Sequence, residues 1–188
     1  EIWRRKVTDS FREIAGLVSA NAALDELLDR ILAELENILP CEVSAIWLVE
    51  EDSNWREDGL QLKLAAVHGV SADVVNAAVQ NPEASALLQS SLDSTEPTIR
   101  TAEDPIGPLG LAMNYPLDYS SVAVPLRAGE RVLGILAIAH PTPGRYGSDA
   151  GMVSLTMANN AAIAIQNNQL FASAQEQAWV STVLLQIA

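Results

Sequence analysis

The chain has 188 residues, 49% hydrophobic and 19% charged, a composition that suits a globular domain with a substantial core. Acids outnumber bases 24 to 11, giving a formal net charge of -13. Phosphate backbones and anionic lipid surfaces recruit the opposite charge, so nucleic acid and membrane contact are excluded as expectations for this segment.

Residues Glu1 to Val18 carry Ile2, Val7, Phe11, Ile14, Leu17 and Val18 at helical spacing, with Arg4, Arg5, Lys6, Asp9, Arg12 and Glu13 between them. That pattern predicts an amphipathic helix. It either lies on its own domain or pairs with the same helix of a second chain. Asn21 to Leu39 predicts a second helix, with Leu24, Leu27, Leu28, Ile31, Leu35 and Ile38 along one stripe and Pro40 as its stop. This stripe is wide enough to lie flat on a sheet.

Val43 to Glu50 reads as a strand buried on both faces. Cys41 just before it reads as an inert thiol, because no basic partner flanks it in sequence. As the only cysteine, it permits no intrachain disulfide, and the expected compartment is cytoplasmic. Glu51 to Gly59 reads as a polar loop, and Leu60 to His68 as the partner strand of a hairpin. Two short helices follow, at Ser71–Val79, with Ser71 as cap, and at Pro82–Leu92. Thr98-Ile99-Arg100 reads as a short edge strand that tolerates Pro97 before it.

Ala102 to Tyr119 is apolar and rich in Pro and Gly, which a solvent loop is not. Such a segment packs over a core or closes a pocket. It reads as a lid with a helical turn at Pro108–Asn114. Ser121–Leu126 and Val132–Ala139 flank Arg127-Ala128-Gly129-Glu130-Arg131 and predict a second hairpin, apolar on both faces and central in its sheet. Ser148 is expected to cap a long helix reaching about Ala174. Of Asn159 and Asn160, one is expected to face solvent and the other to bond locally. From Leu170 onward the apolar pattern runs through Phe171, Ala174, Ala178, Val180, Val183, Leu184 and Ile187 without a breaker, as a helix leaving the domain. No apolar run approaches the roughly 20 residues of a bilayer span. The summed pattern is α+β with an antiparallel sheet.

Motifs of chemistry are missing. The sequence has no Cys-x-x-Cys pair, no glycine-rich phosphate loop and no Gly-x-Ser-x-Gly elbow, and His68 and His140 have no partner at metal spacing. Catalysis is not expected.

The order Ser120-Ser-Val-Ala-Val-Pro-Leu126, Gly129-Glu130, Val132-Leu-Gly-Ile-Leu-Ala-Ile138, Tyr146-Gly-Ser-Asp149 and Ala161-Ala-Ile-Ala-Ile-Gln-Asn167 resembles the GAF-domain core. The stretch Leu24–Leu39 followed by Ala45-Ile-Trp-Leu48 is similar to that domain's opening. The resemblance implies a GAF/PAS-like α+β fold: a central six-stranded antiparallel sheet, helices on both faces, long helices at both ends, and a small-molecule pocket under the lid. It divides the chain into a leading linker helix (1–21), the GAF domain (22–170) and an outgoing signalling helix (171–188). The end, Val180–Ala188, resembles Val7–Ala15 in register, which would make it the start of a second similar domain. The chain begins without Met and ends in mid-pattern, which reads as a piece of a longer protein.

Departures from better-known subfamilies bear on the ligand. Cyclic-nucleotide-binding members carry an Asn-Lys…Phe…Asp-Glu signature, whereas the only lysines here, Lys6 and Lys63, do not follow Asn. Bilin-binding members need a cysteine near the pocket, and the lid has none; sulfoxide-reductase members need several cysteines. Covalent bilin and cyclic nucleotide are therefore disfavoured, and His68 or His140 would have to serve a haem. The cofactor stays unknown. The expected site is Trp47 and His68 from the strands with Met113, Asn114, Tyr115 and Tyr119 from the lid. The expected function is a non-catalytic sensory module that binds a small molecule and passes a signal through its flanking helices to a covalently linked output domain. The alternative is a ligand-free dimerisation spacer of a histidine kinase, phosphatase or cyclase. A homodimer through Glu1–Val18 and Leu170–Ala188, packed as a parallel bundle, is expected in either case.

Overall fold

A computed structural model of the chain describes residues 23–50 and 61–187. The expected leading helix Glu1–Val18 and the loop Glu51–Gly59 lie outside the described residues. Helix α1 (Leu24–Ile38) leads into strand β1 (Val43–Val49), and β2 (Leu62–His68) follows. Then come α2 (Ala72–Val79), α3 (Pro82–Asp93), the two-residue strand β3 (Thr98–Ile99) and the short α4 (Pro108–Ala112). The β4 (Ser120–Ala128) and β5 (Arg131–His140) hairpin and the 40-residue helix α5 (Ser148–Ile187) complete the order.

The sheet runs β2-β1-β5-β4-β3, with every pairing antiparallel. It places the apolar β5 at the centre, where Leu133 through Ala139 are all buried. The β4–β5 strands are longer than the apolar runs suggest. They close on only Gly129 and Glu130, because Gly129 takes φ +64°, which a tight hairpin connection requires at its first residue. Five strands are found among the described residues, not the six that the resemblance implied. The chain between β2 and β4 is taken up by α2, α3 and α4, which leaves the two residues of β3 as its only extended pairing.

Side chains alternate across the sheet. On one face Ile46, Val122, Val124, Leu126, Leu136 and Ile138 pack under α1 and α5. The α1 stripe Leu27, Leu28, Ile31, Leu32, Leu35 and Ile38 is fully inside, each such side chain contributing about 1.5–3 kcal/mol by leaving water. From α5 this core takes the small residues Ala158, Ala161 and Ala162 with Met157 and Ile165, so the helix approaches the sheet closely. On the other face lie Val43, Ala45, Trp47, Ile135, Ala137 and Ala139, under α2, α3 and α4.

The helix starts need two corrections. Ser71 occupies the capping position of α2 in extended conformation, but its side chain makes no capping bond. Gly147 rather than Ser148 caps α5, since its carbonyl accepts the first helical bond from Gly151 at 3.1 Å. The side-chain cap that the sequence reading missed is Asn81, whose Oδ1 accepts from Glu83 N (3.0 Å) and Ala84 N (3.2 Å) ahead of Pro82. Asn160 bonds back to the Thr156 carbonyl at 2.7 Å and Asn159 is exposed, as expected. The pattern after Leu170 continues α5 without a break to Ile187.

Candidate functional site

The lid packs on the sheet face that carries small residues. Ala45, Ala123, Ala137 and Ala139 leave room there, and the lid fills it with Leu109 of α4 and with Tyr119. Pro108 opens α4, where its missing N–H and fixed φ suit the first helical turn. Gly110 is required behind it. A Cβ there would stand 2.4 Å from the Tyr119 ring, so only glycine lets the helix rest on that ring.

Tyr119 is 1% exposed and held at both ends. Its hydroxyl oxygen accepts from the Gly107 amide at 2.8 Å. Its ring lies under the Arg100 guanidinium, 4.1 Å from the centroid. Burial pushes the phenol above its ordinary value, opposed by the Gly107 amide and the Arg100 charge. Arg100 itself is 5% exposed and donates to four carbonyls of the lid. Nε reaches Pro105 (2.9 Å), Nη1 reaches Tyr119 (2.9 Å), and Nη2 reaches Asp104 (2.9 Å) and Leu117 (2.7 Å). One side chain thus ties both ends of the loop. Asp104 braces the first corner by accepting from the Thr101 amide (2.7 Å) and hydroxyl (2.9 Å), which hold its carboxyl below the usual range.

The space left beneath the lid is about 30 Å³, bordered by Trp47, Leu88, Leu109, Tyr119, Ser121 and Ala137 among others. That volume suits a water or two, against roughly 300–1,000 Å³ for a small-molecule pocket. Trp47 is 1% exposed, and its indole N–H has no hydrogen-bond partner among the described residues. Ser91 is already committed to the Leu87 carbonyl at 3.0 Å.

The six expected site residues therefore separate. Trp47 and Tyr119 border the cavity. Met113 and Tyr115 pack against the same core but do not border it. Tyr115 instead donates to Glu42 Oε2 at 3.0 Å, tying the lid's far end to the start of β1, and burial with that carboxylate raises its phenol. Asn114 is exposed and supplies the φ +51° turn after α4. His68 is on the opposite face of the sheet. Its Nδ1 lies 3.0 Å from Glu36 Oε1 and its Nε2 3.6 Å from Asp29 Oδ1, both on α1. Ser44 donates to the same Glu36 oxygen at 2.7 Å. His68 thus has two acidic neighbours that its sequence position hid, and its work is to fasten β2 to α1. Arg100 was missed as a site residue; its position, a lone cation at the mouth of a Pro/Gly-rich loop, was the available signal.

Reactive groups are no better placed. Burial, followed by the Glu36 charge, pushes the Cys41 thiol up to about 12, so it is protonated and unreactive at neutral pH. His140 Nδ1 accepts from the Thr142 amide at 3.1 Å and shapes the turn after β5. Among the described residues no group of three or more His, Cys, Asp or Glu side chains is arranged to hold a metal, and no helix is long and apolar enough to cross a membrane.

A family model for the GAF domain matches residues 21–166. No curated relative matches the chain. Among solved structures, the chain is similar to the GAF domain of a phosphoenolpyruvate-protein phosphotransferase from Coxiella burnetii, with TM-score 0.63 and 18% identity over 90% of this chain and 98% of that one. It is also similar to the GAF domain of a protein described as a sensor histidine kinase from Pseudomonas syringae pv. tomato, with TM-score 0.62 and 14% identity over 94% and 93%. A third likeness is to free methionine-R-sulfoxide reductase from Neisseria meningitidis in complex with its substrate, with TM-score 0.65 and 13% identity over 89% and 90%. At these identities the likeness is one of fold.

Proposed function

This chain belongs to the GAF-domain family, and from that premise we propose that it is a non-catalytic regulatory module whose pocket is permanently filled by its own lid. It serves a larger signalling protein as a spacer and relay through α5. The closed pocket carries this reading: Tyr119 occupies the space between sheet and lid, and Arg100 pins the lid over it with four hydrogen bonds. The 40-residue α5 supports the relay, because it belongs to the core through Ile165 and continues to Ile187 as one helix. A displacement of its inner half is thereby transmitted to its outer half. The GAF domain of the protein described as a sensor histidine kinase supports the signalling context. The reductase neighbour does not extend its chemistry here, since this chain has one cysteine and its half-buried thiol is pushed well above the ordinary value.

A second reading, a small-molecule sensor whose lid must swing open, is favoured by the indole N–H of Trp47 beside the cavity, which has no partner among the described residues. Native mass spectrometry of the purified chain separates the two. The filled pocket predicts only the mass of the polypeptide or its multiples. A stoichiometric non-covalent adduct, lost on substituting Trp47→Phe, would establish the sensor instead.

A further inference from the structure

We infer that the leading segment of this chain, residues 1–22, docks in a groove at the head of α1. The groove has a volume of about 480 Å³ and lies between the first turn of α1, the end of β1 and the start of β2. The α1 stripe is fully inside from Leu27 onward, yet Leu24 at its head is only half-buried. Strand β1 changes in the same place: Val43 through Trp47 are buried, whereas Leu48 and Val49 are half-buried. Leu24, Leu48 and Val49 all border the groove. The cover of the core therefore runs out at one spot, on the sheet face opposite the lid, and leaves apolar surface for a partner.

Attachment selects the occupant. The described residues begin at Ala23, and the next residue, Leu24, already borders the groove. A segment joined there meets the groove at the millimolar effective concentration of a short tether, far above that of a second copy at micromolar concentration. Phe11, Ile14, Leu17 and Val18 give it an apolar side at helical spacing. Ser19 to Ala22, small residues with a Ser and an Asn, leave length for a turn between that side and α1.

Charge points the same way. Asp25 and Glu50 line the groove, Glu26 and Asp29 stand exposed on the same helix, and Lys63 is the one base among the described lining residues. The segment holds four of the chain's 11 bases and three of its 24 acids, and Arg4-Arg5-Lys6 is the chain's only run of bases. The outward side of α5 offers those bases little, because Glu176 is the only charged residue from Ala150 to its end. The pattern of residues 1–18 alone allows packing on the domain or on a second chain. The groove, the point of attachment and the acidic rim select the domain. Docking there is independent of whether the pocket under the lid ever fills.

Paramagnetic NMR of the full chain tests the inference. A nitroxide on Lys63→Cys, in a Cys41→Ala background, stands at the rim of the groove. It is expected to broaden away the amide signals of Phe11, Ile14 and Leu17, which return when the label is reduced. The double substitution Asp25→Lys, Glu50→Lys changes exposed positions, leaves the domain folded and is expected to restore most of their intensity. Unbroadened signals in the labelled chain with its acids intact overturn the inference. So does broadening that survives the charge reversal. Broadening that is equally strong when label and isotope sit on different chains also overturns it, since a second copy's segment would then occupy the groove.

Discussion

Arg100 holds Tyr119 twice: its guanidinium carbon sits 4.1 Å above the centre of the ring, and Nη1 donates 2.9 Å to the carbonyl of the same residue. The ring contact fixes the side chain in the pocket, and the carbonyl bond fixes the point where the lid becomes β4. Among the described residues no carboxylate forms a salt bridge with the buried cation, though its charge helps lower the Asp104 carboxyl. The cation is neutralised by four carbonyl dipoles and a π face, a set that demands the planar fork of arginine.

Arg100→Ala leaves four lid carbonyls without this donor and should lower stability by roughly 3 kcal/mol or more in urea unfolding. Arg100→Lys keeps the charge but cannot span the same acceptors, and should fall between wild type and alanine. Tyr119→Phe removes the acceptor of the Gly107 amide and the hydroxyl's bond with Ser121, and should lose about 1–2 kcal/mol. A lysine variant as stable as wild type would show that the guanidinium geometry is immaterial.

Gly134 marks the tightest approach within the sheet. A Cβ there would stand 1.9 Å from the Trp47 carbonyl oxygen, so Gly134→Ala must push β5 from β1 at the centre of the core. A loss of roughly 3 kcal/mol is expected, at the upper end of overpacking effects. Gly129→Ala meets nothing within 4 Å and suffers only its left-handed φ of +64°, which predicts about 1–2 kcal/mol. Thermal unfolding of the two variants should rank them in that order, and the reverse order would contradict the register.

Cys41 gives the protein an alkaline liability. Its folded thiol is raised to about 12 from an ordinary value near 9.0, so the unfolded state ionises first. The stability this thiol lends is complete below about pH 9 and falls as pH rises from there toward 12. Melting temperatures followed from pH 8 to 10 should decline less steeply in Cys41→Ala than in wild type. Thiol reagents at neutral pH should label the half-buried Cys41 far more slowly in the native chain than after denaturant is added. Native labelling as fast as in denaturant would refute the raised thiol.

Much of the fold was legible because its signals are local. The α1 stripe, the unbroken apolar run of β5 and the Pro/Gly character of the lid each lie within one segment, and each appears where its pattern indicated. The strand count was not legible from the resemblance, since the chain between β2 and β4 had already been spent on helices. The site was legible only in part. Trp47 and Tyr119 announce themselves as large rings in a strand and in the lid. Nothing near His68 in sequence announces Glu36, 32 residues away on α1, so its face of the sheet was misjudged. Pocket volume is a property of packing between segments, and no single stretch discloses that Tyr119 and Leu109 fill it.

The Gly107 amide reports most directly on whether the lid is permanently closed, because its partner is the Tyr119 hydroxyl inside the pocket. Native-state hydrogen exchange should be measured there and at Ile135 in the central strand. A filled, pinned lid predicts that Gly107 exchanges only through global unfolding, with the same opening free energy as Ile135. Exchange of Gly107 through a local opening, orders of magnitude faster than Ile135, would contradict the account and describe a lid that swings.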